Sequence, residues 1–270
     1  MKRTLIAGAA FASLFAVTSA SAADLPAYSK APVMAAVYDW TGYYLGTNVG
    51  YSYGTGSTNG TRTSTAAPTL LPLTDSSTVK GVIGGAQLGY NWQNGSWLYG
   101  LEGDFQFSGE SGRGNVCTAV GCPAGSFMFT RDYKLDWFGT ARGRIGFLPA
   151  ERILLYATGG LAYGSFSGSS LIGVQGANAV DFGSWSKVQA GWTVGAGAEA
   201  ALGNNWSFKV EYLYMDLGNV GGSSATVVIP AGAAPGSTTS YLFNTKFTDN
   251  IVRVGLNYKF GGPAAVVARY

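Results

Sequence analysis

Eight stretches of this chain alternate between apolar and other residues, and the connections between them alternate too: long, short, long, short, long, short, long. The stretches are Trp40 to Tyr53, Val79 to Trp92, Trp97 to Phe107, Tyr133 to Phe147, Ile153 to Phe166, Lys187 to Leu202, Trp206 to Leu217 and Ile251 to Phe260. A period of two marks a β-strand with two unlike faces. Three connections are tight turns, at Gln93-Asn94-Gly95-Ser96, around Pro149 and at Gly203-Asn204-Asn205. Asn-Gly suits a hairpin because such turns need a positive φ. The other four, at 54–78, 109–132, 167–186 and 218–247, are long and rich in Gly, Ser and Thr. A soluble sandwich has no reason to gather every long connection at one end. A transmembrane barrel has short turns on one side of the membrane and long loops on the other. The expected fold is all-β: an eight-stranded antiparallel transmembrane β-barrel with four long external loops and short periplasmic turns.

The faces carry the same message. In the last stretch Val252, Val254, Leu256, Tyr258 and Phe260 share one face, and Ile251, Arg253, Gly255, Asn257 and Lys259 the other. Trp97, Tyr99, Leu101, Phe105 and Phe107 oppose Glu102, Asp104 and Gln106. Leu135, Trp137, Ala141, Ile145 and Phe147 are expected outward, with Asp136, Thr140, Arg142 and Arg144 inward. Val188, Trp192, Val194 and Ala198 oppose Glu199, while Trp206, Phe208, Val210, Tyr212 and Tyr214 oppose Lys209 and Glu211. A soluble barrel would put its polar face outside; a membrane barrel puts it inside. An interior of eight strands is just wide enough for side chains to fill. Glu102, Asp104, Arg142, Arg144, Glu199, Lys209, Glu211 and Arg253 are therefore expected to pair in a closed polar core. An ion path through the lumen is the alternative.

Composition agrees. Charged residues are only 11% and aromatics 14%, and 41 residues are Gly. Soluble domains carry about 25% charge. After residue 22 no apolar run approaches the ~18 residues of a membrane helix. The start reads as a secretory signal: Lys2 and Arg3, an apolar run from Leu5 to Val17, then Ala20-Ser21-Ala22 as the cleavage site. Residues 1–22 are thus expected to be removed, leaving 23–39 as a periplasmic linker, 40–260 as the barrel and 261–270 as a C-terminal extension. Cleavage takes two bases and no acid, so the mature chain is close to neutral and nothing argues for nucleic acid. Cys117 and Cys122, in an exported chain, are a candidate loop disulfide, with two free thiols as the alternative.

Catalytic and metal chemistry find little support. Gly50-Tyr51-Ser52-Tyr53-Gly54 matches G-x-S-x-G, but it lies in an alternating strand rather than at a strand-to-helix elbow. The chain has no His to serve as base or metal ligand. Gly195 to Ala200 matches a dinucleotide fingerprint that no helix follows. No cofactor is expected. One pattern does suggest a partner. The strands descending from long loops begin near bases: Lys80, Arg131 with Lys134, Lys187 and Lys246. Such a ring at the outer rim suits lipopolysaccharide phosphates, or is ordinary solvated charge.

The segments WTGYYLGTNVGY (40–51), LDWFGTARGRIGF (135–147), LLYATGGLAYG (154–164), GWTVGAGAEAALGNNWSFKVEYLYMDLG (191–218) and VRVGLNYKF (252–260) resemble the small outer-membrane immunogenic proteins of alphaproteobacteria, which are opacity-type, porin-like eight-stranded barrels. The resemblance covers nearly all of 40–260. It implies a structural barrel and surface antigen contributing to envelope integrity in a Gram-negative outer membrane, not an enzyme. Because some relatives are called porins and some bind haemin, it also carries the alternatives of a small passive porin or a haemin- or host-ligand-binding protein acting through its loops. With no His, haemin would need Tyr or Met ligands. The closing strand resembles the signal read by the barrel-assembly machinery, at Arg253, Gly255, Tyr258 and Phe260. GGPAAVVARY follows Phe260, and the alternation stops at Phe260, which favours Phe260 over Tyr270 as the recognised end.

Overall fold

The computed structural model describes residues 38–64, 71–117, 127–174, 179–228 and 238–261. The signal segment, most of the linker, Cys122, the Cys117 side chain and the extension from 262 onward lie outside them. Eight strands follow one another: β1 (Gly42–Ser64), β2 (Leu71–Asn94), β3 (Trp97–Cys117), β4 (Phe127–Ala150), β5 (Ile153–Val174), β6 (Ala179–Gly203), β7 (Trp206–Val228) and β8 (Thr238–Lys259). Each pairs antiparallel with its neighbour, and β8 returns to β1, closing the barrel. The three tight turns stand as expected. Gly95 (φ 61°), Asn204 (φ 49°) and Asn205 (φ 67°) take the left-handed conformation that Gly and Asn tolerate best.

The exposed surface explains the closure. A band of large apolar side chains faces outward on every strand: Tyr43–Tyr53 on β1, Val82–Trp92 on β2, Trp97–Phe107 on β3, Ile145 and Phe147 on β4, Ile153–Tyr163 on β5, Val188–Leu202 on β6, Trp206–Tyr212 on β7 and Val252–Phe260 on β8. This band is the lipid-facing surface, and the stretches bearing it are the membrane-spanning segments. Lipid offers backbone N–H and C=O groups no partners, so within the band every strand must pair on both sides. Rings pack on rings on this wall, edge-on in Tyr43–Tyr90 and Trp206–Tyr258 and stacked in Phe105–Trp137.

Two expectations need correction. The four long connections are largely strand, since the strands run 21 to 25 residues and continue far above the apolar band. Gly-, Ser- and Thr-rich sequence hides this, because above the membrane neither face needs to be apolar. Leu135 also points inward, fully buried, while Asp136 lies on the outer side in an ion pair with Lys134 at 3.1 Å. The pairing of β4 with β5 shifts between Leu135 and Trp137, and one bulged residue reverses the faces beyond it.

Toward the outside the closed sheet divides. The ladders β7–β8, β8–β1 and β1–β2 continue up to Val228↔Thr238, Ser64↔Thr239 and Arg62↔Leu71. The ladders β3–β4, β4–β5 and β5–β6 reach Cys117↔Met128, Phe127↔Val174 and Gly173↔Ala179. The β2–β3 ladder, however, ends at Lys80↔Ser111, and the β6–β7 ladder at Trp192↔Asp216. Among the described residues, the outer half is therefore two four-stranded sheets, β7-β8-β1-β2 and β3-β4-β5-β6, parted by two seams. The β2–β3 seam opens above Val82 and Phe107, where water can satisfy strand edges and the requirement that closes the barrel lapses.

Candidate functional site: the filled lumen

Side chains fill the lumen in three layers. The first, at the periplasmic end, is apolar: Trp40, Leu98, Leu148, Leu154, Tyr156 and Ala201. Trp40 was expected to open the first strand, yet it turns into the barrel mouth and is buried. Its backbone N–H donates to Gln93 Oε1 at 2.9 Å and its indole Nε1 to the Glu151 carbonyl at 3.1 Å. Tyr38 packs edge-on against it at 4.9 Å between ring centres, and burial pushes the Tyr38 phenol up to about 12. Lys259 Nζ donates to the Asp39 carbonyl and sits 5.1 Å over the Tyr38 ring.

The second layer is charged. It holds Glu102, Asp104, Glu199 and Glu211 with Arg142, Arg144, Lys209 and Arg253, all buried. The sequence placed these residues inside, and the structure brings them into one network. Arg142 donates to Glu102, to Asp104 at 2.9 Å and to Glu211 at 3.0 Å. Arg253 donates to Glu211 at 2.6 Å and to Asp104 at 2.9 Å. Lys209 Nζ meets both Glu102 oxygens at 3.0 Å. Arg144 donates to Asn91 at 2.6 Å and to Glu199 at 3.3 Å, and lies 4.6 Å over the Tyr44 ring. Ser207 and Asn257 donate to Glu199, and the Tyr44 and Tyr156 hydroxyls donate to Glu102 at 2.7 Å and Glu211 at 3.0 Å. The phenol ends of the two tyrosines lie against Gly89 and Gly197, where a Cβ would overlap them. Equal numbers of acids and bases leave the layer neutral. Unpaired ions in such an interior would be costly, and these have partners from several strands.

The third layer, toward the outside, is apolar again. Val79, Ile83, Leu135, Phe138, Phe166, Leu213, Met215, Leu217, Phe247 and Ile251 pack together. The sequence reading missed this layer, because Phe138, Leu213 and Met215 sit in strands whose opposite faces are equally apolar. Leu98, Lys209, Gln106 and Ile251, from the three layers, have 0% exposure, so no solvent touches them.

A second pair of carboxylates lies in this outer layer. Glu110 and Asp249 are both fully buried, above the outermost lipid-facing residues of their strands, Phe107 and Val252. The Ser52 hydroxyl donates to Asp249 and faces Glu110; the Ser108 hydroxyl donates to Glu110 at 3.1 Å. Glu110 Oε2 and Asp249 Oδ2 have no hydrogen-bond partner, and among the described residues neither acid forms an ion pair. Burial pushes Glu110 up to about 9, with the Asp249 charge adding to it, and burial pushes Asp249 up to about 6.

At the rim, Lys80, Lys134, Lys187 and Lys246 are exposed. Arg131 is not: it is buried and donates to the Tyr133 hydroxyl at 3.3 Å, so it leaves the set of rim candidates. It sits on the inward face with Phe129 and Tyr133, in a part of β4 that the sequence reading took for loop. Lys246 meets Asp216 at 3.0 Å, and that carboxylate holds its ammonium pKa up. A groove of about 890 Å³ crosses the outer wall of β3 to β6 beside Lys134, lined by Arg113, Asp132 and Trp185 among serines. Ser52 of the G-x-S-x-G match is buried inside a strand. At the closing strand, Phe260 is exposed on the outward face, and its N–H donates to the Tyr43 carbonyl at 2.8 Å.

The sequence matches the family described as "Outer membrane protein beta-barrel domain" over residues 8–260. It is 38% identical over 266 residues to the 31 kDa outer-membrane immunogenic protein of Brucella melitensis biotype 1, covering 96% of this chain and 100% of that protein. It is 31% identical over 270 residues to the 22 kDa outer membrane protein of Rhizobium leguminosarum bv. viciae, again covering 96% and 100%. Among solved structures, the outer membrane protein OprG of Pseudomonas aeruginosa is similar with a TM-score of 0.44 and 12% identity, over 81% of this chain and 97% of that one.

Proposed function

We propose that this chain, which belongs to the outer membrane protein β-barrel family, is a structural barrel and surface antigen that contributes to the integrity of the Gram-negative outer membrane. The filled lumen carries this reading. A pore needs water along its axis, and here a neutral ion-paired layer lies between two apolar ones. We read no catalysis: Ser52 is buried with acids and no His as neighbours, and the charged groups of the middle layer are engaged with one another. The test is single-channel recording of the refolded mature chain in a planar bilayer. A silent, properly inserted barrel is the expected result. Discrete reproducible steps would replace this reading with that of a small passive porin.

A second reading concerns partners, and the placement of Lys80, Lys134, Lys187 and Lys246 above the apolar band favours it. Ammonium groups at that level meet the phosphates of lipopolysaccharide, and the groove beside Lys134 adds hydroxyls and an indole suited to its sugars. Changing the four lysines to Gln is expected to lower the lipopolysaccharide retained through purification; equal retention would remove the reading. Binding of haemin or a host ligand at the loop tips, and reading of Arg253, Gly255, Tyr258 and Phe260 by the barrel-assembly machinery, rest on the resemblance noted above. Both are testable by pull-down with the tips deleted or Phe260 changed.

A further inference from the structure

The buried Glu110 and Asp249 carboxylates belong to different halves of the divided outer barrel. Glu110 is on β3, in the sheet β3-β4-β5-β6; Asp249 on β8 and Ser52 on β1 are in the sheet β7-β8-β1-β2. They meet where the β2–β3 seam begins. The last β2–β3 pair is Lys80↔Ser111, one residue beyond Glu110, and Gly81 packs against the Gly109 and Glu110 backbone so closely that a Cβ there would collide with it. Across the lumen the two sheets meet here through hydrophobic contacts and this acid–hydroxyl–acid bridge, with a Thr58–Tyr133 hydroxyl contact at 3.4 Å farther out.

We infer that Glu110, Ser52 and Asp249 form a proton-held clasp between the two outer sheets, closed while the acids share a proton and loosened when both are ionised. A shared proton lets one acid act as donor and supplies a bond across the seam. Two negative charges in the same apolar layer repel, and no ion pair compensates them. The groups facing the bridge do not change this. β2 offers Val79, Gly81 and Ile83; β4 offers Leu135, Tyr133 and Arg131, whose guanidinium donates to Tyr133; β5 offers Phe166; β7 offers Leu213, Met215 and Asp216, the last in an ion pair with Lys246. On β8, Arg253 faces the other way, into the Glu211–Asp104 layer. The clasp thus tightens the outer half as pH falls and frees the edges of β2 and β3 as it rises.

The test is amide hydrogen exchange on the refolded mature chain from about pH 5 to pH 9, corrected for the intrinsic rate. Residues 71–79 and 112–117, along the seam, are expected to lose protection by about tenfold or more across that range, as a one-unit difference in proton affinity would produce. Amides of the apolar band, such as Leu88 and Leu101, serve as the internal reference. Either Glu110→Gln or Asp249→Asn, which keeps a neutral side chain of the same shape, is expected to flatten the profile. A flat profile in the wild type overturns the clasp, and so does a pH dependence that survives in both variants. Should one variant fail to give a heat-modifiable barrel, the other decides; should both fail, the wild-type profile decides.

Discussion

Two neighbouring layers of one lumen bury carboxylates under opposite conditions. Glu102 is met by Arg142 and Lys209, with Arg144 and Arg253 close by, and Glu211 by Arg142 and Arg253. Glu110 and Asp249, in the apolar layer above, are met by serine hydroxyls. Both sites are equally dry. What differs is where along the barrel axis they lie. The paired network crosses the band in which the barrel must be closed; the bare acids sit where the sheet has begun to open. Burial alone does not make a carboxylate stabilising. Its partners decide, and here they decide in opposite directions.

The contrast is broken most severely by removing a partner from the paired layer. Arg142→Ala or Glu211→Ala leaves opposing charges buried without compensation, and each is expected to cost about 3–5 kcal/mol in urea unfolding followed by heat-modifiability. The same substitutions are the ones expected to admit water and give channel activity, whereas Trp40→Ala alone is expected to stay silent, because the charged layer still closes the axis. In the outer layer the sign reverses. Glu110→Gln is expected to raise stability by about 1–3 kcal/mol near pH 9, since it removes a charge that has no partner. Its effect depends on pH. An acid whose folded pKa lies above its unfolded value destabilises the fold as pH rises from the ordinary carboxylate range to about 9, and is without effect below it. The urea midpoint of the wild type is therefore expected to fall between about pH 5 and pH 9, and that of Glu110→Gln to fall less. The smallest effect is at the rim: Lys80→Gln or Lys187→Gln is expected to move stability by under about 0.5 kcal/mol while reducing retained lipopolysaccharide.

Most of the lipid-facing band was legible, because lipid enforces a period of two wherever no bulge intervenes and the tight turns carry Gly and Asn where φ is positive. The members of the charged layer were legible for the same reason: Glu102, Arg142, Lys209, Glu211 and Arg253 each alternate with outward apolar neighbours. Their pairing was not, since contacts such as Arg253 with Asp104 join residues 149 positions apart. Three things escaped for local reasons. A single bulged residue reversed Leu135 and Asp136. The upper strands have no apolar face to announce them, and with them went Arg131, taken for a rim base. And Glu110 lay in a segment read as loop, and Asp249 between the last long connection and the final strand, so nothing in the sequence indicated that they meet.

The two seams bear on how the exterior is seen by other molecules. The chain segments at 65–70 and 229–237 connect strands of one sheet, and those at 118–126 and 175–178 connect strands of the other. Among the described residues, no ladder joins one sheet to its neighbour above Lys80 and Trp192. Antibodies raised to two tips of the same arm should compete or cooperate, while antibodies to different arms should bind independently. A sequence grafted onto one arm should leave the epitopes of the other intact, so the molecule presents two separately editable display surfaces on a single anchor.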